Sequence, residues 1–199
     1  MKHQKMTKVY PQILTSSTTC LNSKRETYTI WMKSLVFHSN GCTVYDSNGD
    51  IVYRVDNYHR KGKREVNLMD VRGKIICTVK KKLLGFGNWD GFRCNNSNYE
   101  SMKEPWFQVK RCNKMMRRKI LCEIKVGCQK YCIVRTSVKE ALRIVNIIDG
   151  HIVAEAKQKY SLSGVALDND VLTLEVVTDI DHSLVMALIM VYGLICGRM

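Results

Sequence analysis

The chain is short of proline, of long charge-free runs and of motif-grade chemistry, and each shortage removes a class of protein. Two prolines and 12 glycines in 199 residues leave little room for a disordered linker, so one globular domain is expected. The polar start, Met1-Lys2-His3-Gln4-Lys5, has no apolar core of a signal peptide, which argues against secretion. Its nine cysteines then read as reduced thiols in a cytosolic or nuclear protein, and the sequon Asn95-Asn96-Ser97 as accidental. Cys122, Cys128 and Cys132 lack CxxC spacing and a nearby histidine, so buried or half-buried thiols are expected and no metal. A nucleophile elbow, a phosphate loop and a metal motif are likewise absent, and no enzyme and no cofactor are expected. Asp46-Ser47-Asn48-Gly49-Asp50 looks like a calcium loop only superficially, since the sixth and twelfth positions hold Ile51 and Asn57. At the other end, Arg198 disqualifies Cys196-Gly197-Arg198-Met199 as a prenylation signal.

What the chain does have is one apolar run, Ser183 to Cys196, bounded by Asp179, Asp181 and His182 before it and Arg198 after it. Its apolar residues keep to no single stripe, so a helix here must be covered on every side. About 14 residues is too short to cross a bilayer, which takes roughly 20. Ahead of it lie short β-type segments separated by turn signals. Thr27 to Trp31 comes first, then Lys33 to Phe37 leading to a Ser39-Asn40-Gly41 turn. Cys42–Tyr45 and Ile51–Val55 flank Asn48-Gly49, and Glu65–Met69 and Lys74–Lys80 flank Asp70-Val71-Arg72-Gly73, two hairpin patterns. Trp89–Cys94, Trp106–Arg111, Ile120–Val126, Tyr131–Thr136, Leu142–Ile148, Ile152–Lys157 and Val171–Val177 complete the series. The turn, strand and basic exit at 70–82 recur loosely at 149–159.

About twelve strands and one all-apolar helix point to a mainly β protein: a closed antiparallel barrel enclosing a C-terminal helix at about 181–197. The helix, at ~1.5 Å per residue, and strands of about seven residues, at ~3.3 Å each, come out equally long. Residues 1–25 read as a flexible basic arm and 26–199 as a single domain. An apolar helix filling a barrel leaves no interior for catalysis, so function is expected on the outside.

Trp31, Lys33-Ser34-Leu35, Val44-Tyr45-Asp46-Ser47-Asn48-Gly49 and Tyr53-Arg54-Val55-Asp56-Asn57-Tyr58, followed by Leu68-Met69-Asp70 with Gly73, Asp170-Val171 and Met186-Ala187-Leu188, resemble the plant LURP-one-related family over residues 25–197. The resemblance implies the tubby-like C-terminal fold, a twelve-stranded barrel around a C-terminal helix shared with tubby proteins and phospholipid scramblases. It also implies no established enzymatic activity. Some members of the family are linked to plant defence, and tubby relatives bind phosphoinositides. Ser161 to Leu167 departs from the family's spacing, so a strand there is left open. No lipid-binding residue carries over from the resemblance.

Charge supplies the candidate sites. The net charge is +14, and residues 1–135 hold 27 Lys/Arg and 10 Asp/Glu against 5 and 8 in residues 136–199, which favours an anionic partner. Lys80, Lys81 and Lys82 precede Leu83-Leu84-Gly85-Phe86, a basic cluster beside apolar residues of the kind an anionic lipid surface selects. Arg60, Lys61, Lys63 and Arg64 have the same sign, and a hairpin between the clusters would place them at one end. Lys110, Arg111, Lys114, Arg117, Arg118 and Lys119 form a third cluster, the alternative site for nucleic acid, although it lacks the interleaved aromatics used for base stacking. The expected role is a non-enzymatic module on phosphoinositide-containing, anionic membranes, in defence signalling. It would be cytoplasmic and peripheral at the plasma membrane. The alternative is a nuclear DNA-associated or protein-interaction factor.

Overall fold

The strands exist because one side of each has an apolar partner and the other has water. The computed structural model describes residues 24–33, 40–57, 65–83, 87–94, 104–112, 119–136, 142–161 and 163–197. Over them run β1 (Arg25–Trp31), β2 (Asn40–Tyr45), β3 (Ile51–Asn57), β4 (Glu65–Asp70), β5 (Ile75–Lys81), β6 (Trp89–Arg93), β7 (Phe107–Arg111), β8 (Ile120–Val126), β9 (Gln129–Arg135), β10 (Leu142–Asn146), β11 (Ile152–Gln158), β12 (Val171–Val177) and α1 (His182–Cys196). Burial alternates along them: Val66 and Leu68 of β4 point inward, as do Leu172, Leu174 and Val176 of β12.

Chain order is also spatial order. Each strand pairs antiparallel with its predecessor and successor, and β1 closes the barrel on β12, from Arg25 opposite Val177 to Trp31 opposite Val171. Closure removes the edges that an open sheet would expose. Inside lies α1, with every residue from Leu184 to Gly193 buried. Within the wall, a Cβ added at Gly91 would lie 2.2 Å from the Phe107 ring of β7; only glycine fits between β6 and that ring.

The helix begins beyond the Val177 end of β12 and finishes near Arg135, whose guanidinium reaches the Cys196 sulfur at 3.6 Å. We call these the start end and the exit end of the barrel. At the start end Asp181 caps the helix, accepting from the Ser183 amide at 2.9 Å and the Leu184 amide at 3.4 Å, and pairing with Arg93 of β6. The Tyr28 hydroxyl lies 2.8 Å from both Glu26 Oε2 and His182 Nδ1, which fastens β1 to the first helical residue. Burial, then the Glu26 carboxylate, pushes the Tyr28 pKa up, so the phenol keeps its proton as a donor. Gly197, left-handed at φ 68°, closes the other end of the helix.

Three hairpins at the start end share one chemistry. Asp46 accepts the Asn48 and Asp50 amides on a single carboxylate oxygen, at 2.8 and 2.9 Å. Asp70 does the same for Arg72 and Lys74, at 2.9 Å each. Asn146, with one more residue in its loop, accepts the Ile148 amide at 2.9 Å. The Asp46 loop is therefore a hairpin turn whose carboxylate is occupied by the backbone.

The twelve strands and the helix match the expectation, with Asp181 and Gly197 as the caps of α1. Two local readings change. Asn40 and Gly41 open β2, opposite Asn57 and Asp56, because cross-strand pairing overrides their turn propensity. Residues 34–37 of the strand expected just before them lie outside the described residues. Between β11 and β12 the described residues form no further strand but a bridge from Tyr160 to Ala166 across a turn with the Ser161 amide on the Val165 carbonyl at 2.8 Å.

Two outcomes follow from the buried helix. Leu188, wholly inaccessible, when changed to Asp places a carboxylate where nothing can pair it, at a cost of several kcal/mol. Leu188→Asp should yield insoluble protein on expression; a soluble variant with native circular dichroism would refute the central-helix arrangement. Asp181→Ala removes the cap and should cost about 1 kcal/mol at neutral pH in urea unfolding. Burial opposes ionisation of Asp181, but the Ser183 hydroxyl, Arg93 and the two amides outweigh it and hold the carboxyl below its ordinary range. Its contribution is complete above the unfolded value of about 3.9 and fades as pH falls through the lower folded value, so wild type and variant should converge in acid.

Candidate functional site: the basic exit end

The register decides where the basic clusters stand. Glu65 pairs with Lys80, so the end of β5 and the start of β4 are neighbours, and both are at the exit end. Arg111, at the end of β7, pairs with Cys122 near the start of β8, again at the exit end. Arg60, Lys61, Lys63 and Arg64 lie outside the described residues, as do Lys114, Arg117 and Arg118. What the structure places is the pairs of strand ends that those segments join. The β3–β4, β5–β6 and β7–β8 connections follow one another around the rim. The strand ends that bound the three segments, from β3 to β8, thus fall in one sector, five strand spacings or about 24 Å along the wall.

The two ends of the barrel differ in sign. The six connections at the exit end (32–39, 58–64, 82–88, 112–119, 136–141 and 159–170) contain twelve Lys/Arg and three Asp/Glu. Those at the start end (46–50, 71–74, 94–106, 127–128, 147–151 and 178–181) contain three and seven. The sequence that joins the exit-end strand ends thus carries net +9, and that joining the start-end strand ends net −4.

Within the basic sector the lysines are not equivalent. Lys80 is paired with Glu65 at 3.3 Å and lies 5.9 Å from the Phe92 ring centroid. Lys82 pairs with Asp90 at 3.1 Å. Lys81 lies over the Trp89 ring at 5.8 Å and has no carboxylate partner among the described residues. Leu83, 81% exposed, is the most exposed large apolar side chain described. Asn88 ties the sector together: its carbonyl accepts the Lys82 amide at 2.9 Å and its Oδ1 accepts the Arg111 amide at 3.3 Å. Elsewhere on the same rim, Tyr160 and Val165 project at 56% and 63% exposure, next to Lys33, which is neutralised by Asp170 at 2.9 Å and Asp168 at 3.6 Å. Ile147 and Ile148 are exposed at the start end, away from the basic rim sector. Val71, 59% exposed, stands beside Arg72 and Lys74 in the β4–β5 turn, but among the described residues Leu83 is the more exposed apolar tip beside cations.

Two clefts indent the outer surface. One, of about 310 Å³, lies beside the helix start and contains Trp106, Tyr131, His151, Asp179 and Asp181. Its aromatic wall is already used: the Arg93 guanidinium stacks 4.5 Å from the Trp106 ring centroid. The other, of about 340 Å³, runs down the wall from Lys82 and Asn88 across β7, β8 and β9 to Ile147. Sequence reading passed over its Lys125 and Lys130, although both flank the two-residue Gly127-Cys128 turn at positions that hairpin pairing sets opposite each other. That spacing was the available signal.

None of the eight described cysteines is in a disulfide. Cys122 and Cys132 are buried as expected, whereas Cys128 is exposed because it sits at the tip of the β8–β9 turn instead of inside a strand. No described helix is long and apolar enough to cross a membrane.

Residues 26–193 match the model of the family described as LURP-one-related. Protein LURP-one-related 4 of Arabidopsis thaliana is 44% identical, over 96% of this chain and 88% of its own length. Protein LURP-one-related 11 of the same plant is 37% identical, over 96% and 89%. A solved X-ray structure of an Arabidopsis thaliana protein superposes with a TM-score of 0.59 over 85% of this chain and 90% of that one, at 15% identity; at that identity the match speaks for the fold alone.

Burial pushes the Cys77 and Cys122 thiols up to about 12, which keeps them protonated and unreactive at neutral pH. Brief alkylation of the native protein at pH 8 should therefore label Cys128 and spare Cys77 and Cys122 until denaturant is added. Early labelling of Cys122, read by peptide mass spectrometry, would contradict the packing of β8 against the helix.

Proposed function

The chain belongs to the LURP-one-related family, and from that premise we propose that it is a non-catalytic module that docks on anionic membranes by the exit end of its barrel. The carrying observation is that exposed Leu83 and Lys81 stand at the rim between the strand ends that the three basic segments join. Each Lys or Arg close to an anionic leaflet contributes about 1 kcal/mol, an attraction that fades beyond about 8 Å at physiological salt. An inserted leucine adds apolar burial that salt does not screen. The acidic start end would face away and fix the orientation. Phosphoinositides, with several charges per headgroup, suit so dense a sector better than singly charged lipids do, and a peripheral membrane module fits a part in defence signalling.

Nucleic acid is the second reading. It would require aromatic faces among the cations for stacking, or a helix or ribbon presented to a groove. Trp89 is buried at 7% exposure, and the exposed aromatics Trp31 and Tyr160 lie by β1 and β12, outside the basic sector. The aliphatic tip favours lipid.

Vesicle co-sedimentation separates these readings. Lys81→Glu combined with Leu83→Ser disturbs no described ion pair and should leave the fold intact. The wild type should bind vesicles containing phosphatidylinositol bisphosphate more strongly than vesicles with phosphatidylserine of equal charge, and phosphatidylcholine not at all. The double variant should lose at least tenfold in affinity. Failure of the wild type to bind any anionic vesicle, with retention of a DNA duplex on a gel, would reverse the order of the two readings.

A further inference from the structure

The wall cleft carries a second, distinct proposal. Lys125 and Lys130 face each other directly across the β8–β9 ladder, and Gln108 stands on the other side of Lys125 across β7. Like charges opposite one another destabilise a sheet, and among the described residues no carboxylate pairs with either lysine. Lys110, one row further along, also has no ion-pair partner among them. Three ammonium groups therefore line one concave surface, and Glu123, opposite Lys110 across the β7–β8 ladder, is the only carboxylate lining it. A solvated face could spread these charges; this one gathers them in a cleft of about 340 Å³, within the size range of small-ligand sites.

We propose that this cleft binds a compact ligand carrying two or more phosphate groups. Lysine ammoniums are point charges with three rotatable donors, suited to phosphate oxygens at varied angles. Carboxylate recognition instead favours the bidentate fork of arginine, and no arginine lines the cleft. The amides of Asn88 and Gln108 supply neutral donors at one side. Ile147, half-exposed at the far end, offers an apolar surface to the carbon frame that bears the phosphates. An extended peptide would want a free strand edge, and the closed barrel has none. The cleft shares Lys82, Asn88 and Lys110 with the membrane-docking sector, so the test is made at Lys125, which lies outside that sector.

Phosphorylated rings occur as free solutes and as lipid headgroups, so the test uses both. Isothermal titration with soluble inositol trisphosphate compares the wild type with Lys125→Glu and with Lys74→Glu, an equal change of charge at the β4–β5 turn, outside the cleft. Lys125→Glu sets a carboxylate across from Lys130, so its melting temperature should equal or exceed that of the wild type. Loss of binding would then not reflect unfolding. The expected result is saturable binding weakened at least tenfold by Lys125→Glu and little changed by Lys74→Glu. On vesicles containing phosphatidylinositol bisphosphate, a parallel loss in Lys125→Glu identifies a lipid headgroup as the ligand, and retained binding identifies a free solute. No binding of inositol trisphosphate by the wild type, undiminished binding by Lys125→Glu, or equal loss in both variants would overturn the proposal.

Discussion

An apolar helix with no polar face has one solution in water, which is to be covered on every side. The burial of Leu184 to Gly193 is the constraint from which the rest of the architecture follows. A wall that surrounds one helix must curve and close, and antiparallel strands joined by short turns close with no edge left over. The match in length between a 15-residue helix and strands of five to seven residues lets the wall end where the helix ends. With the interior filled, any chemistry is displaced to the rims and the outer wall. That is why both proposals concern surfaces.

The polarity of the molecule has a cause in turn chemistry. Tight hairpins need a side chain that accepts backbone amides without adding bulk, and Asp46, Asp70 and Asn146 supply it. The helix start needs the same kind of residue, and Asp181 supplies that. These demands fall at one end and make it acidic as a by-product of folding. Apart from the thirteen residues of 94–106, the start-end connections have two to five residues, whereas those at the other end have six to twelve, so length leaves them freer of such requirements. Charge there is available for recognition. A charge asymmetry visible only as a difference between the two parts of the sequence becomes, in three dimensions, an asymmetry between two ends.

The fold was legible because its determinants are local. Alternation in Ile120–Val126 and Val171–Val177, the Asn48-Gly49 and Asp70 to Gly73 turns, and the uninterrupted run into Cys196 each specify an element without reference to any other. Turn propensity misled only where a long-range partner prevailed, as at Asn40 and Gly41 opposite β3. The site was legible in part. Runs such as Lys80 to Lys82 are adjacent in sequence and could be seen; that Lys80 and Lys82 are paired with Glu65 and Asp90, leaving Lys81 unpaired, depends on neighbours across the sheet. The facing of Lys125 and Lys130 was implied by hairpin arithmetic. Its meeting with Lys110 and Ile147 in one cleft required four strands to be placed first.

All twelve strands precede the helix in the chain, and the seam between β1 and β12 joins Arg25 to Val177, some 150 residues apart. During synthesis the first strand waits for the twelfth, and the inner wall is complete before its filling has emerged. Until then the side chains destined for the interior (Ile30, Leu68, Val79, Ile133 and their neighbours) have only each other or a chaperone for company. Assembly is thus governed by its most distant contact, which sets a slow, late and all-or-none closing step. A protein that is insulated from aggregation once finished is at its most vulnerable just before the final turns of polypeptide arrive.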